Sequence, residues 1–252
     1  MNLLTLPRKL ASALLNHFGY YVIRIPTKYD ENLELADKNL YRPLFSPWLN
    51  QNPECEFAQW YAKAKQKSLI SADRFWVLYS LSKQALKIEG DFCEFGVYKG
   101  GSAYLLLQLL KKYNLNKKLN LFDTFVGMLE TDAKKDWHKK GDFSDTSLEK
   151  VENLLEHSNR CKFYPGHIPI TFQNTELTKI SFAHIDLDLY QSILETIHFV
   201  YPRLSTGGFI VFDDYGFATC PGARQAVDEY FKHHDCVPLI LPTGQALVFK
   251  FA

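Results

Sequence analysis

No apolar stretch near the N-terminus is long enough to cross a bilayer. The longest charge-free run before Arg24 is 10–23, broken by Asn16 and His17, whereas a spanning helix needs ~20 apolar residues. No small-residue cleavage site follows it, which argues against a signal peptide. A helix packed on the main domain or on a partner subunit is expected there, with peripheral membrane contact as the alternative. Charge of one sign is also missing. The net charge of +1 provides no field to recruit nucleic acid or acidic lipid. The five cysteines are odd in number and lack C-x-x-C spacing, so they read as reduced thiols of a cytoplasmic protein, not a disulfide framework or a zinc site. Internal repeats and low-complexity segments are absent, and no G-x-G-x-x-G dinucleotide fingerprint occurs.

What is present is an ordinary globular balance, 46% hydrophobic and 23% charged, over a length that fits one large α/β domain with an appendage. Residues 27–60 are rich in Pro, Asn and aromatics and read as an irregular connection. The stretch 71–87 has helical spacing, with Ser71 as N-cap and Asp73 in the first turn. Short apolar runs then alternate with amphipathic stretches. Strands are predicted at 90–98, 118–123, 161–166, 180–186 and 207–214, and helices after 101, 146, 189 and 221. Two closing apolar runs, VPLILP and QALVFKFA, are linked through Thr243 and Gly244 and predict an antiparallel hairpin. The fold expected is Rossmann-like α/β, a mostly parallel seven-stranded sheet with a C-terminal antiparallel hairpin and helices on both faces. An N-terminal extension, 1–70, would precede a domain of 71–252. Binding is then expected at the carboxyl ends of the strands.

Two strand ends carry candidate chemistry. In CEFGVYKGGSA, glycines 96, 100 and 101 follow a strand and would let backbone approach a ligand. Ser102 opens a helix whose first N–H groups are free. Glu94 would repel a pyrophosphate and welcome a positive group, favouring S-adenosylmethionine over NAD. Asp123, at the end of the second strand, can accept both hydroxyls of a ribose. Farther on, FAHIDLDLYQS and FIVFDDYG each end an apolar run in two acids. Neighbouring parallel strands lie ~5 Å apart, which would gather Asp186, Asp213 and Asp214. Carboxylates so crowded raise one another's pKa unless a cation sits among them. Oxygen ligands of this kind suit Mg²⁺, with Mn²⁺ or Ca²⁺ as alternatives. If the strand persisted, Asp188 would share the face of Asp186 and could take a proton from a metal-acidified hydroxyl. Alternatively, these acids cap the helices that follow them.

Motifs in the order GDFCEFGVYKGGSA, LFDTFVGM, GDFSDTS, FYPGH, HIDLDLYQS and GGFIVFDDYG…PGARQAVDEY resemble the macrocin O-methyltransferase family (TylF/MycF type) over about 71–235. The resemblance implies a class I, S-adenosylmethionine- and Mg²⁺-dependent enzyme that methylates a hydroxyl, for example of a sugar in a glycoside, natural product or polysaccharide. It implies that Glu94, Gly96 and Ser102 contact the methionine part of the cofactor, with Gly100 and Gly101 shaping the turn. Asp123 would bind the ribose with Thr124 beside it, and Asp142, Phe143 and Ser144 would lie near the adenine. Asp186, Asp213 and Asp214 match the metal ligands and Asp188 the general base. Two departures stand out, Leu187 where the family has Gly and His184 where it often has Arg. The segment 133–143 reads as a lid or a solvated loop. A small-molecule or glycan acceptor and a homo-oligomer are expected, with no nucleic acid. The competing readings are a catechol-like phenol O-methyltransferase, an NAD(P)-dependent oxidoreductase, and a non-catalytic cofactor-binding protein.

Overall fold

Strand β4 (Ile180–Ile185, ISFAHI) is buried at all six positions, as a strand covered on both faces by helices must be. The computed structural model describes residues 55–113 and 116–251, and the expectations for residues 1–54 lie outside them. Helices α1 (Glu56–Ala64) and α2 (Ala72–Ala85) come first. Then follow β1 (Asp91–Phe95), α3 (Gly101–Lys112), β2 (Leu119–Asp123), α4 (Leu148–Leu154), β3 (Cys161–Pro165) and β4. The chain ends with α5 (Tyr190–Val200), β5 (Leu204–Phe212), α6 (Pro221–Phe231), β6 (Leu239–Ile240) and β7 (Ala246–Phe249).

The strand order is β3-β2-β1-β4-β5-β7-β6. Pairings through β5 are parallel, and β7 runs antiparallel to both β5 and β6. The expected hairpin therefore forms, with its second strand lying inside the first. One face carries a core of Phe75, Leu78, Phe92, Leu106 and Phe182 beneath α1, α2 and α3. The other carries Phe95, Phe122, Ile193, Ile197 and Phe212 against α5 and α6. Chain order reverses between β1 and β4, the point where open α/β sheets leave a crevice at their carboxyl edge. All five cysteines are free. Among the described residues no helix is long and apolar enough to cross a membrane.

Two local details depart from the sequence reading. Residues 56–60, expected to be irregular, lie in α1, whose Phe57 and Ala64 are core residues. Ser71 precedes α2 without capping it through its side chain, and its hydroxyl donates to Asp73 instead. Ser147, by contrast, caps α4 by accepting the Lys150 N–H at 3.3 Å.

Glu56 ties the first helices to α3. It accepts from Tyr79 and Lys112 and from Lys83 at 2.9 Å. Burial pushes its carboxyl upward, but Lys112, Tyr79 and Lys83 outweigh that and hold it at about 2. Because the folded pKa lies below the unfolded one, this contribution is present above the ordinary Glu range and is lost as pH falls through about 2. Glu56→Gln is expected to destabilise the fold by ~1 kcal/mol at pH 7, after discounting for solvent screening. Urea melts should show that difference shrinking to nothing toward pH 2.

Candidate active site

The carboxyl ends of β1, β2, β4 and β5 open into one cavity. Of the residues singled out from sequence, Gly96, Ser102, Asp123, Thr124, Phe143, Asp186, Asp188 and Asp214 line it. Glu94, Gly100, Gly101, Asp142, Ser144 and Asp213 stand outside its lining.

The glycines have a more local purpose than ligand approach. Gly96 has φ +86°, and a Cβ there would lie 1.8 Å from the Asp186 carbonyl oxygen. The turn after β1 thus packs directly on the backbone carrying the acids, an arrangement reinforced by the Asp186 N–H donating to the Phe95 carbonyl at 2.8 Å. A Cβ on Gly101 would meet the Ala64 carbonyl at 2.5 Å, so that glycine admits α1.

Asp123 organises the same turn. One carboxylate oxygen accepts the N–H groups of Val97 and Tyr98 at 2.7 and 2.8 Å, and the other accepts that of Phe125 at 2.6 Å. Each oxygen has more than one acceptor site, so the carboxylate still faces the cavity with capacity for a hydroxyl.

The acids at the ends of β4 and β5 divide by environment. Asp213 lies below the usual carboxylate range: burial would raise it, but His184, Arg74 and Gln245 together outweigh burial. Arg74, on α2, forms an ion pair with one of its oxygens. Gln245 donates to the other at 2.8 Å. Asp186 and Asp214 are pushed well above that range, first by burial and then by neighbouring carboxylates. Two acids are thus held short of compensating charge, and the third is supplied with it. A divalent cation among Asp186 and Asp214 would relieve the repulsion, so this donor set fits a hard ion. His184, Asp186 and Asp213 also bring polar atoms within 4.8 Å of one another, with the protonated His184 balancing the charge rather than ligating.

The strand does not persist to Asp188. β4 ends at Ile185, and Asp188 adopts a left-handed conformation with φ +59°. Its N–H donates to Asp214 Oδ2 at 2.9 Å. Asp188 does not cap α5 through its side chain, since the cap residue is Leu189 and the Tyr190 N–H is taken by Asp136 Oδ1 at 2.9 Å. Nor do Asp213 and Asp214 cap α6, whose cap residue is Cys220. Burial raises the Asp188 carboxyl, while His138 and the Cys220 thiol draw it partly back.

Five residues near these acids carried no assignment from sequence. Arg74, Gln245 and Asp136 make the contacts just described. His138 and Cys220 approach Asp188, with His138 Nε2 at 3.5 Å and Cys220 Sγ at 3.1 Å from its Oδ1. His184 is fully buried, and its Nδ1 lies 2.8 Å from Glu94 Oε1. Burial would lower its pKa, but Asp213 and Glu94 raise it to about 10, which makes it an imidazolium. Glu94 therefore meets its positive group inside the sheet. His184→Leu should cost ~3–5 kcal/mol by leaving Glu94 buried and unpaired. Denaturant melts should show part of that restored when Glu94 is also made Leu, and additive losses would contradict the pairing.

A Gly-rich turn after β1, an acid ending β2, a switch between β1 and β4 and an antiparallel β7 define a Rossmann-like methyltransferase fold. The O-methyltransferase NovP has that fold, aligning with TM-score 0.68 and 22% identity over 74% of this chain and 83% of its own. Across residues 66–241 the sequence matches the macrocin-O-methyltransferase (TylF) family, and the chain belongs to it. Demethyldecarbamoylnovobiocin O-methyltransferase from Streptomyces niveus is 28% identical over 57% of this chain and 58% of its own length. Mycinamicin III 3''-O-methyltransferase from Micromonospora griseorubida is 29% identical over 66% and 71%.

Proposed function

We propose that this protein is an S-adenosylmethionine-dependent O-methyltransferase acting on a hydroxyl of a sugar-bearing small molecule or glycan. The observation that carries the reading is the placement of Asp188 beside Asp186 and Asp214 in the cavity that also exposes Gly96, Ser102 and Asp123. Family membership points the same way. When bound, S-adenosylmethionine supplies an electrophilic methyl group, and a divalent cation such as Mg²⁺ makes a hydroxyl it contacts more acidic.

Asp186 and Asp214 would hold that cation, with Asp213 joining as Arg74 gives way. Asp123 accepts from a ribose hydroxyl while keeping the turn 96–98 in shape. Ser102, at the start of α3, faces the methionine end. Phe143 packs against Tyr98, with ring centroids 5.5 Å apart, and walls the adenine side. Asp188 accepts the proton of the attacking hydroxyl at a carboxylate oxygen, which burial makes more basic than an ordinary aspartate. Leu129, Ile168 and Leu189 keep water from the reacting atoms. Leu69 and Ile70, which line the cavity, belong to the acceptor side in this scheme.

Calorimetry with S-adenosylhomocysteine and NAD⁺ tests the cofactor, with binding expected only for the first. Transfer of labelled methyl to a panel of glycosides and phenols should favour the glycosides, stop with EDTA and return with Mg²⁺. Failure to bind S-adenosylhomocysteine sinks the reading, and turnover indifferent to EDTA removes the metal from it.

A further inference from the structure

We propose that His138, Asp188 and Cys220 form a binding site for one zinc ion, with a fourth coordination position open to the cavity. Their ligand atoms make a compact triangle. Cys220 Sγ and Asp188 Oδ1 are 3.1 Å apart, His138 Nε2 and the same oxygen 3.5 Å, and Sγ and Nε2 3.8 Å. Tetrahedral zinc with its usual bond lengths to S, N and O separates such donors by roughly 3.3–3.6 Å. The three residues arrive from separate elements, so the triangle is a product of the fold. His138 comes from the loop before α4, Asp188 from the turn between β4 and α5, and Cys220 from the cap of α6.

A second observation concerns orientation. His138 Nδ1 lies 3.2 Å from Asp142 Oδ2, which also accepts the Lys139 N–H at 2.9 Å. A carboxylate on one imidazole nitrogen directs the lone pair of the other toward the cluster, the usual support for a metal-ligating histidine. The donor set also discriminates. Imidazole and thiolate favour zinc, whereas Mg²⁺ wants oxygen ligands, so this site and the all-carboxylate set select different ions. Without metal, burial and the charges of Asp214 and Asp188 keep the Cys220 thiol protonated. A divalent ion reverses that balance by attracting carboxylate and thiolate together, and binding releases the thiol proton. Three protein ligands with an open position describe a zinc site accessible to exogenous oxygen ligands. While Asp188 is so engaged, its carboxylate cannot accept a proton from a substrate hydroxyl. The site itself does not depend on the methyl-transfer reading, because occupancy is measured without turnover.

The test titrates Co²⁺, then Zn²⁺, into the full-length protein under reducing conditions with saturating Mg²⁺. One Co²⁺ per chain is expected, with the visible bands of a tetrahedral ion and a thiolate-to-cobalt charge-transfer band, both erased by Zn²⁺. Cys220→Ser should abolish the charge-transfer band, Cys236→Ser should retain it, and His138→Ala, on a surface loop, should weaken binding without unfolding the chain. Asp142→Ala should lower zinc affinity ~10–100-fold. Co²⁺ binding with no thiolate band, or a band that survives Cys220→Ser, would overturn the proposal. The first outcome places the ion on the carboxylates of Asp186 and Asp214 and leaves the methyl-transfer reading standing.

Discussion

Asparagine at position 188 is expected to lower kcat by about 10²–10⁴-fold, the usual loss on removing a general base, while S-adenosylhomocysteine binds as before. The substitution isolates chemistry from structure. Asp188 sits at φ +59°, and Asn is among the few side chains that tolerate the left-handed region, so the backbone keeps its course. The N–H donated to Asp214 belongs to the main chain and survives the change. What disappears is the anionic oxygen facing the cavity. Single-turnover methyl transfer measures the step directly. An unchanged rate would remove Asp188 from catalysis, and a parallel fall in cofactor affinity would show that the change had disturbed the site instead.

The second large effect is expected at Gly96. Alanine there must hold a positive φ, which costs about 1–3 kcal/mol by itself. Its Cβ would also fall 1.8 Å from the Asp186 carbonyl, a backbone atom fixed by the β1–β4 pairing that cannot step aside as a flexible side chain can. A drop in melting temperature of roughly 5–10 °C follows for a chain of this size. Since the displaced segment is the one bearing Asp186, cofactor binding and turnover should fall together. A variant that melts with the wild type would mean the turn has room that the geometry denies.

The strands were legible because parallel strands covered on both faces are short, mostly apolar runs, as ISFAHI and LNLFD are. The acids that end them were legible as abrupt changes of polarity at one edge of the sheet. What escaped the sequence depends on strand order and loop docking. Glu94 and His184 are cross-strand neighbours in register, but only once β1 is known to lie beside β4. The charge of Glu94 did signal that a positive partner was needed; the sequence reading gave that part to a cationic cofactor, and His184 is the partner it meets inside the sheet. Arg74 reaching Asp213, and His138 meeting Cys220 across Asp188, join segments 139 and 82 residues apart through tertiary packing alone. Spacing placed Asp186 and Asp188 on one face, whereas the chain leaves the strand at Ile185 and turns left-handed at Asp188. The closing hairpin was readable from its Gly-containing link, but not the insertion of β7 between β5 and β6.

Asp136 also anchors the loop that carries His138. Its carboxylate accepts the first N–H of α5 at 2.9 Å with one oxygen and the N–H of Asp132 at 3.0 Å with the other. Gly222 leaves it room, since a Cβ there would lie 2.5 Å from the same carboxylate. The segment 132–136 is therefore latched to the start of a core helix through one buried amide. Release of that contact would expose the Tyr190 amide to solvent. Deuterium uptake at that single amide is the expected readout of any such release.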